Sequence, residues 1–380
     1  MASVRLILRR APLVLIVPIL LICLALWFIL SSTSPDDDSI TSLLSDFPEK
    51  NNLRAWKSQL QCPPPPLRWD EKGFYPADSN VKTLEIAPGK IAPLCRPSTP
   101  LFIAFGSKCC LLEQTIASYI AEGWPCSQIV VVDNTGHALE NAAGSVQDSE
   151  HYHLNYTRMQ KNYGVSVFGL PIRLTFAQYQ NWLLHLAKRE GIDDFYWSHQ
   201  DIIVRSDPNL FPSFFHGILA EKEQLASRFS KGSKEWAFGF FSYDWLAHVN
   251  VRAAEVVGQW DQWIPYYHSD CDYYGRARRK ELLMFDFPIG RFFDVGSCLT
   301  SPQALFAQAQ FDNAFELDDV LQQMHGTKAD ERNHGGSWQG RTADKDVSDD
   351  SGPGFEYQID AGRKWFKKKW GTWQCNVPRQ

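Results

Sequence analysis

The sequence predicts an α/β fold built on a mostly parallel sheet, carried behind an N-terminal membrane span and a stem. Two short runs, Leu101-Phe102-Ile103-Ala104-Phe105 and Gln128-Ile129-Val130-Val131-Val132, are almost wholly apolar without alternation, as strands buried on both faces are. Between them Leu112, Thr115, Ile116, Tyr119 and Ile120 share one helical face, and Gly123 ends the helix. Strand, helix and strand in so short a length make a crossover unit, the start of a nucleotide-binding type of fold. The third observation lies upstream, where residues 11–30 hold no charge.

About 20 apolar residues suffice to cross a bilayer, and a cleaved signal has a shorter apolar core of roughly 7–15. Arg5, Arg9 and Arg10 precede the run and Asp36-Asp37-Asp38 follows it, which leaves residues 1–10 in the cytosol and everything after Leu30 in a lumen. Nine cysteines agree with an oxidising compartment: Cys23 lies in the span, and the other eight, an even number, suit disulfides. Residues 31–98 read as a stem, with Cys62-Pro63-Pro64-Pro65-Pro66 as a stiff extended spacer, and Cys62 and Cys95 are placed to pin it. Asn155-Tyr156-Thr157 is a glycosylation sequon, used or unused. A net charge of −5 gives no basic footprint for nucleic acid.

Residues 99–375 form the domain. A weak third strand is expected over His151–Arg158, then a loop at Gln160–Gly164. A helix burying Tyr179, Trp182, Leu183, Leu186 and Ala187 follows, closed by Gly191. Another helical stretch starts at Ser206-Asp207-Pro208, residues 220–235 read as loop or exposed helix, and Trp236–Tyr243 reads as a strand. The polar, Gly-rich residues 327–354 read as a flexible loop or lid that includes His334, either a late metal ligand or a surface histidine. The basic, aromatic Arg363–Gly371 either clasps a diphosphate or forms a solvated face over buried tryptophans.

Three places carry chemistry. Asp194-Phe195-Tyr196-Trp197 is an aromatic strand that runs into His199-Gln200-Asp201. A polar cluster at the end of a buried strand is costly unless it binds something, and strand carboxyl ends are where ligands sit. His199 and Asp201 suit a divalent metal such as Mn²⁺; equally they fit a satisfied histidine beside a solvated aspartate. Asp133 ends the strand 128–132 and can accept from a ribose or base, or hold a turn. Asp270 and Asp272 precede the basic Arg276, Arg278, Arg279 and Lys280. At a helix start the dipole favours their ionised forms, so Asp270 can serve as a base while Asp272 caps or pairs with Arg276; both can also be plain N-terminal charges.

Taken in order, Val-Val-Asp-Asn-Thr-Gly, Asn162-x-Gly164, a helix bearing Asn181, Trp-x-His-x-Asp, Gly258-x-Trp260-Asp261 and Asp270-x-Asp272-x-x-x-Arg276 resemble the GT-A glycosyltransferases of the family 2 type. Those enzymes carry Gly-x-Phe-Asp-Glu before Glu-Asp-x-Asp-Leu-x-x-Arg-Leu. The resemblance covers about residues 100–300, and the anchor and stem are those of Golgi members, the fungal ones above all. It departs at His199, where the family has a first Asp, and at Ser269, where it has Glu. The resemblance implies a GT-A nucleotide-diphospho-sugar transferase fold and a metal-dependent, inverting transfer from a nucleotide sugar, UDP-linked, to a hydroxyl on a glycan, glycolipid or glycoprotein. It implies Asp133, with Asn134, Asn162 and Asn181, on the nucleotide. It implies Asp201, aided by His199, on Mn²⁺ or Mg²⁺, Asp270 as base, and Trp260, Asp261, Asp272 and Arg276 as support on the acceptor side. It also implies a single-pass type II protein of the Golgi or endoplasmic reticulum.

Two other classes fit the same residues: a silent domain of this fold that binds sugar or a partner, favoured by His199 and Ser269, and a lumenal metal-dependent hydrolase using His199, Asp201 and Asp270. Consumption of nucleotide sugar only with acceptor, none at all, or release with water alone separates the three. For the topology, protease treatment of intact microsomes is expected to leave the C-terminus protected; its digestion without detergent rules the orientation out.

Overall fold

The computed structural model describes residues 99–207, 209–300, 302–306, 314–334 and 353–375, and the backbone of two short strands upstream, β1 (Leu67–Asp70) and β2 (Gly73–Pro76). The apolar run 11–30, most of the stem, Cys62, Cys95 and the His334 side chain lie outside what is described. No helix among the described residues is long and apolar enough to cross a membrane. Within the stem β1 and β2 pair antiparallel, Leu67 opposite Pro76, just after the proline run 63–66.

The crossover unit is as the sequence requires. Strand β3 (Leu101–Phe105), helix α1 (Cys109–Ala121) and strand β4 (Ile129–Asp133) follow in turn, and β3 and β4 pair in parallel. Gly123 leaves α1 at φ +89°, a conformation that a side chain resists. Next come α2 (Ala138–Ala143), α3 (Tyr156–Asn162) and β5 (Ser166–Gly169). The strand expected over 151–158 is therefore displaced. Asn155 Oδ1 accepts from Arg158 N at 2.9 Å, an N-cap that turns the segment into α3, and the third strand forms further on. Helix α4 (Phe176–Glu190) has a full capping box at Thr175 and Gln178 and ends at Gly191.

Strand β6 (Asp194–Ser198) is central, but the chain past it does not continue the same sheet. Residues 199–201 turn, and β7 (Ile202–Ser206) pairs instead with a later strand. Helix α5 (Phe214–Arg228) starts at its Ser213 cap, later than the expected Ser206. Strands β8 (Trp236–Phe240) and β9 (Leu246–Asn250), helix α6 (Val251–Val257) and helix α7 (Ser269–Arg279) follow. After them come β10 (Leu283–Asp286), β11 (Gly290–Asp294), α8 (Ala314–His334) and α9 (Pro353–Trp370). Residues 327–334 are thus helical rather than loop: Lys328-Ala329-Asp330-Glu331-Arg332 contains no breaker and several good helix formers.

Among the described residues the main sheet has seven strands in the order β10-β8-β9-β6-β3-β4-β5. Only β9 runs against its neighbours; β10 with β8, and β6 with β3, β4 and β5, are parallel. The sheet is Rossmann-like: succession runs outward from β3 through β4 to β5 on one side and from β6 on the other. That makes the carboxyl ends of β3 and β6 the topological switch point. The second sheet, β7 with β11, is antiparallel and sets Asp294 opposite Ile202. Among the described residues two disulfides, Cys110–Cys298 and Cys271–Cys375, staple α1 and α7 to distant segments, while Cys109 and Cys126 are free.

The reversed strand is held by charge. His248 on β9 is 2% exposed and bonds Glu221 Oε1 at 2.7 Å and Asp194 Oδ1 at 2.9 Å. Tyr196 donates to the other Glu221 oxygen at 2.7 Å, and Thr99 donates to Asp194 at 2.6 Å. Burial alone lowers the pKa of an imidazole, but Glu221 and Asp194 outweigh it and raise that of His248 above its ordinary 6.5. Asp194 is the counterpart: burial pushes its carboxyl up, and His248 and Lys222 bring it well below the usual range. The histidine's contribution is thus complete below pH 6.5 and lost as pH rises through the raised value. His248→Gln is expected to cost about 3 kcal/mol at pH 6 and to flatten that alkaline loss, as read by urea unfolding over pH 5.5–9.

Candidate functional site

The cleft begins at the switch point. Gln200 faces the loop after β3: Gly106 N donates to Gln200 Oε1 at 2.9 Å and Gln200 Nε2 donates to Ser107 O at 2.6 Å. Beside this clip the turn 199–201 presents His199 and Asp201, with His199 Nδ1 4.0 Å from Asp201 Oδ1 and its ring stacked on Trp197 at 5.4 Å. Both side chains are partly exposed, so the polar knot at the end of the aromatic strand does open to solvent.

The turn between β8 and β9 closes the other side. Ser242 and Tyr243 both sit at φ 59°, an unusual conformation for residues with side chains, and costly unless the surroundings impose it. The effect is to send three groups into the cleft. Tyr243 OH donates to Asp270 Oδ2 at 2.7 Å. Asp244, 5% exposed, accepts from Tyr274 OH at 3.2 Å and lies within the fields of His199 and Asp270. Trp245 O accepts from His199 N at 3.1 Å, joining the two turns. Loss of water around the Tyr243 hydroxyl, then the Asp244 and Asp270 charges, push its pKa up, so it stays a donor at neutral pH. Beyond this turn lies a groove of about 970 Å³ lined by Tyr243, Asp244, Tyr274, Arg278 and Met284 among others.

The floor comes from the second sheet. Asp294 pairs with Ile202, Val295 N donates to Asp201 O at 2.9 Å, and the Asp294 and Asp201 carboxylates both reach the same ammonium. Lys328 from α8 reaches both: its ammonium donates to Asp201 Oδ2 at 2.5 Å and to Asp294 Oδ1.

The residues singled out from sequence divide into two groups. His199, Asp201 and Asp270 meet in this cleft. Asp133 is fully buried and its carboxylate is taken up internally: Thr135 N and Oγ1 donate to one oxygen at 3.0 and 2.6 Å, Asn141 and Tyr156 to the other at 2.8 and 3.0 Å. It therefore organises the loop after β4, the turn-holding alternative. Asn134 clamps Leu174 through both its amide atoms, at 2.9 and 2.7 Å. Asn162 lines a groove of about 560 Å³ with Asn141 and Arg158, formed by residues 141–162.

The motif around residue 260 acts from behind. Asn181 receives Trp260 N at 2.7 Å and donates to Trp260 O at 3.0 Å, and the Trp260 ring stacks on Tyr273 at 4.2 Å. Asp272 pairs with Arg276 at 2.9 Å, the expected i,i+4 contact, and accepts from Trp370 Nε1 at 2.8 Å. Lys369 bonds Asp261 at 2.8 Å and Asp272 at 2.7 Å. The basic tail thus spends its Lys369 charge on these two acids. Burial pushes the Asp261 carboxyl up, but the Lys369 bond and the Trp263 amide bring it below its ordinary value.

Sequence reasoning passed over Asp244, Asp294 and Lys328. The first two had a signal, an acid ending an aromatic run, as in Phe241-Ser242-Tyr243-Asp244 and Phe292-Phe293-Asp294. Lys328 had none, since its segment read as loop.

No family model matches this chain, and neither does any curated protein. Among solved structures, a cytidylyltransferase from Leptospira borgpetersenii is 14% identical, over 61% of this chain and 94% of that one, at a TM-score of 0.32. A mannosyltransferase from Pyrobaculum calidifontis, in complex with GDP-Man and Mn²⁺, is 11% identical over 76% of this chain and 92% of that one, also at a TM-score of 0.32. Likenesses so distant leave the fold to rest on its own strand order.

Asp244 gives the cleft a titration. Burial raises its pKa from 3.8 to about 6, with the Asp270 charge adding to the rise and His199 opposing it. The unfolded chain releases this proton near 3.8 and the folded one near 6, so stability falls as pH rises between those values and stays lower above them. Asp244→Asn is expected to remove that fall and to stabilise the protein by about 2 kcal/mol at pH 7.5 but not at pH 4, measured by denaturant midpoints.

Proposed function

We propose that the chain is an inverting glycosyltransferase that moves a sugar from a nucleotide sugar to an acceptor hydroxyl. The observation that carries this reading is the convergence of His199, Asp201, Asp244 and Asp270 on the carboxyl edge of the sheet, beside its switch point. Ligands of open α/β sheets lie in that crevice. The family resemblance supports a UDP-sugar as the donor to try first. Cys110–Cys298 and Cys271–Cys375 support an oxidising compartment, and with the apolar run at 11–30 we extend the reading to a type II protein of the secretory pathway.

On this reading the nucleotide lies against the loops after β3 and β4, and the acceptor arrives through the groove bordered by Tyr243 and Asp244. Asp270 takes the proton from the acceptor hydroxyl while that oxygen bonds the anomeric carbon, and the bond from that carbon to the diphosphate oxygen breaks. Attack from the opposite face inverts the carbon. Tyr243 holds one Asp270 oxygen, which leaves the other to receive the proton. Two carboxylates, a main-chain carbonyl and a nearby imidazole suit a divalent cation such as Mn²⁺ or Mg²⁺ by their donor chemistry. Asp201 and Asp294 would hold it, with His199 beside them; the metal, when bound, would stabilise charge on the leaving diphosphate.

Thermal shift against a panel of nucleotide sugars tests the donor, because a bound ligand raises stability by mass action. Asp270→Asn is nearly isosteric. It is expected to keep nucleoside-diphosphate affinity within a few-fold and to lose transfer by at least about a hundredfold. Transfer at the parental rate removes Asp270 as base, and absence of transfer by the parent across a broad donor and acceptor panel removes the enzyme.

A further inference from the structure

We propose that the Lys328 ammonium and a divalent cation compete for one position between Asp201 and Asp294, so that the chain carries its own stand-in for the metal. Three oxygens converge on Lys328 Nζ: Asp201 Oδ2 at 2.5 Å, Asp294 Oδ1, and the Val295 carbonyl at 3.3 Å. They are hard oxygen donors, the kind that Mn²⁺ and Mg²⁺ take. An ammonium is a compact point charge with three donors and meets the same set, but it brings only one positive charge to two carboxylates.

Lys328 is aimed there by the whole of its helix. Asp318, Leu321, His325 and Lys328 fall on one face of α8. Asp318 bonds Arg205 at 3.1 Å and Arg291 at 2.6 Å, Leu321 is fully buried, and His325 Nδ1 accepts from Asp294 N at 3.0 Å. The backbone is therefore anchored one turn before the lysine, and the anchor does not use the ammonium. The lysine stem passes over Gly296, where an added Cβ would lie 3.5 Å from Lys328 Cγ, ordinary van der Waals contact. With a fifth of its surface in solvent and a flexible four-carbon stem, Lys328 can turn outward while α8 stays. A tethered cation acts at an effective concentration on the order of millimolar. A free metal ion must overcome that before Asp201 and Asp294 serve it.

The inference rests on the cleft being a cation-using donor site, but the competition is a property of these residues and is measured without turnover. The test titrates the full-length chain, purified in detergent, with MnCl₂ alone and follows free Mn²⁺ by electron paramagnetic resonance. Lys328→Met is expected to bind Mn²⁺ at least about tenfold more tightly than the parent, because the tethered competitor is gone. Its melting temperature, lowered by two uncompensated carboxylates, should rise with Mn²⁺ more than the parent's does. Lys328→Gln, which keeps donors to both acids without the charge, should shift affinity in the same direction and serves if the methionine variant does not fold. Adding Asp294→Asn should abolish the gain. Mn²⁺ affinity unchanged or weakened in the lysine variants overturns the proposal and leaves the transferase reading intact. Tightened affinity in a protein that transfers no sugar upholds the competition and defeats the transferase reading.

Discussion

Burying Glu221 and Asp194 against the sheet costs several kcal/mol for each charge unless opposite charge meets them at close range. His248 meets both, from the middle of β9, and its ring also stacks on Tyr196 at 4.2 Å. The sheet depends on that arrangement. A strand that runs against its neighbours places different groups at its edge than a parallel strand would, and a slip of one residue would turn His248 to the opposite face. The network fixes the register of β9 against β6 and thereby fixes which residues occupy the turn that leads into it.

From there the cleft follows in steps. With β9 fixed, the turn between β8 and β9 has only a few residues in which to cross. It does so through Ser242 and Tyr243 in the left-handed region, at φ 59° each. Strain of this kind persists when the surroundings over-determine it, and here both ends are tied: Trp245 O to His199 N, and Tyr243 OH to Asp270. Helix α7 must in turn present Asp270 at its first turn. Its far side is held by Asp272, which pairs with Arg276 and accepts from Trp370 and Lys369 of α9. Asp270 and Asp272, two apart on one helix, therefore do different work: one looks into the cleft and the other docks the C-terminal helix.

What could be read from the sequence was what local pattern determines. The β3-α1-β4 unit, the α4 face and the Asp272–Arg276 pair depend on residues a few positions apart, and hydrophobic period or helix spacing reveals them. The third strand was displaced because Asn155 is a helix cap, a signal that competes with β-propensity over the same residues. The split of the aromatic strand at His199 was not legible, because β7 finds its partner in β11 about 90 residues later. For the same reason Asp294 could not be assigned to Asp201. Their meeting depends on the turn before β7, the β7–β11 pairing and the reach of Lys328, none of which composition encodes. The loop-holding role of Asp133 was one of two readings open from its position, and only the placement of Asn141 and Tyr156 decides between them.

Charge sets the last constraint on the cleft. Asp201 and Asp294 face Lys328, Asp244 lies near His199 and borders a groove that Arg278 also lines, and on the proposed function an anionic diphosphate must enter beside these acids as well. Two like charges 5 Å apart repel by about 3 kcal/mol at an effective dielectric near 20. A fully ionised, unpaired cluster would therefore oppose both folding and donor binding. The structure reduces the excess in two ways that do not need each other. Burial keeps Asp244 protonated up to about pH 6 and so removes one negative charge beside Asp270 under mildly acidic conditions. Lys328 neutralises one of the two acids on the floor. Above pH 6 only the second device remains, and one ammonium against two carboxylates still leaves the floor negative. On the proposed function a doubly charged ion in place of the lysine would bring one more positive charge to that floor than the ammonium does.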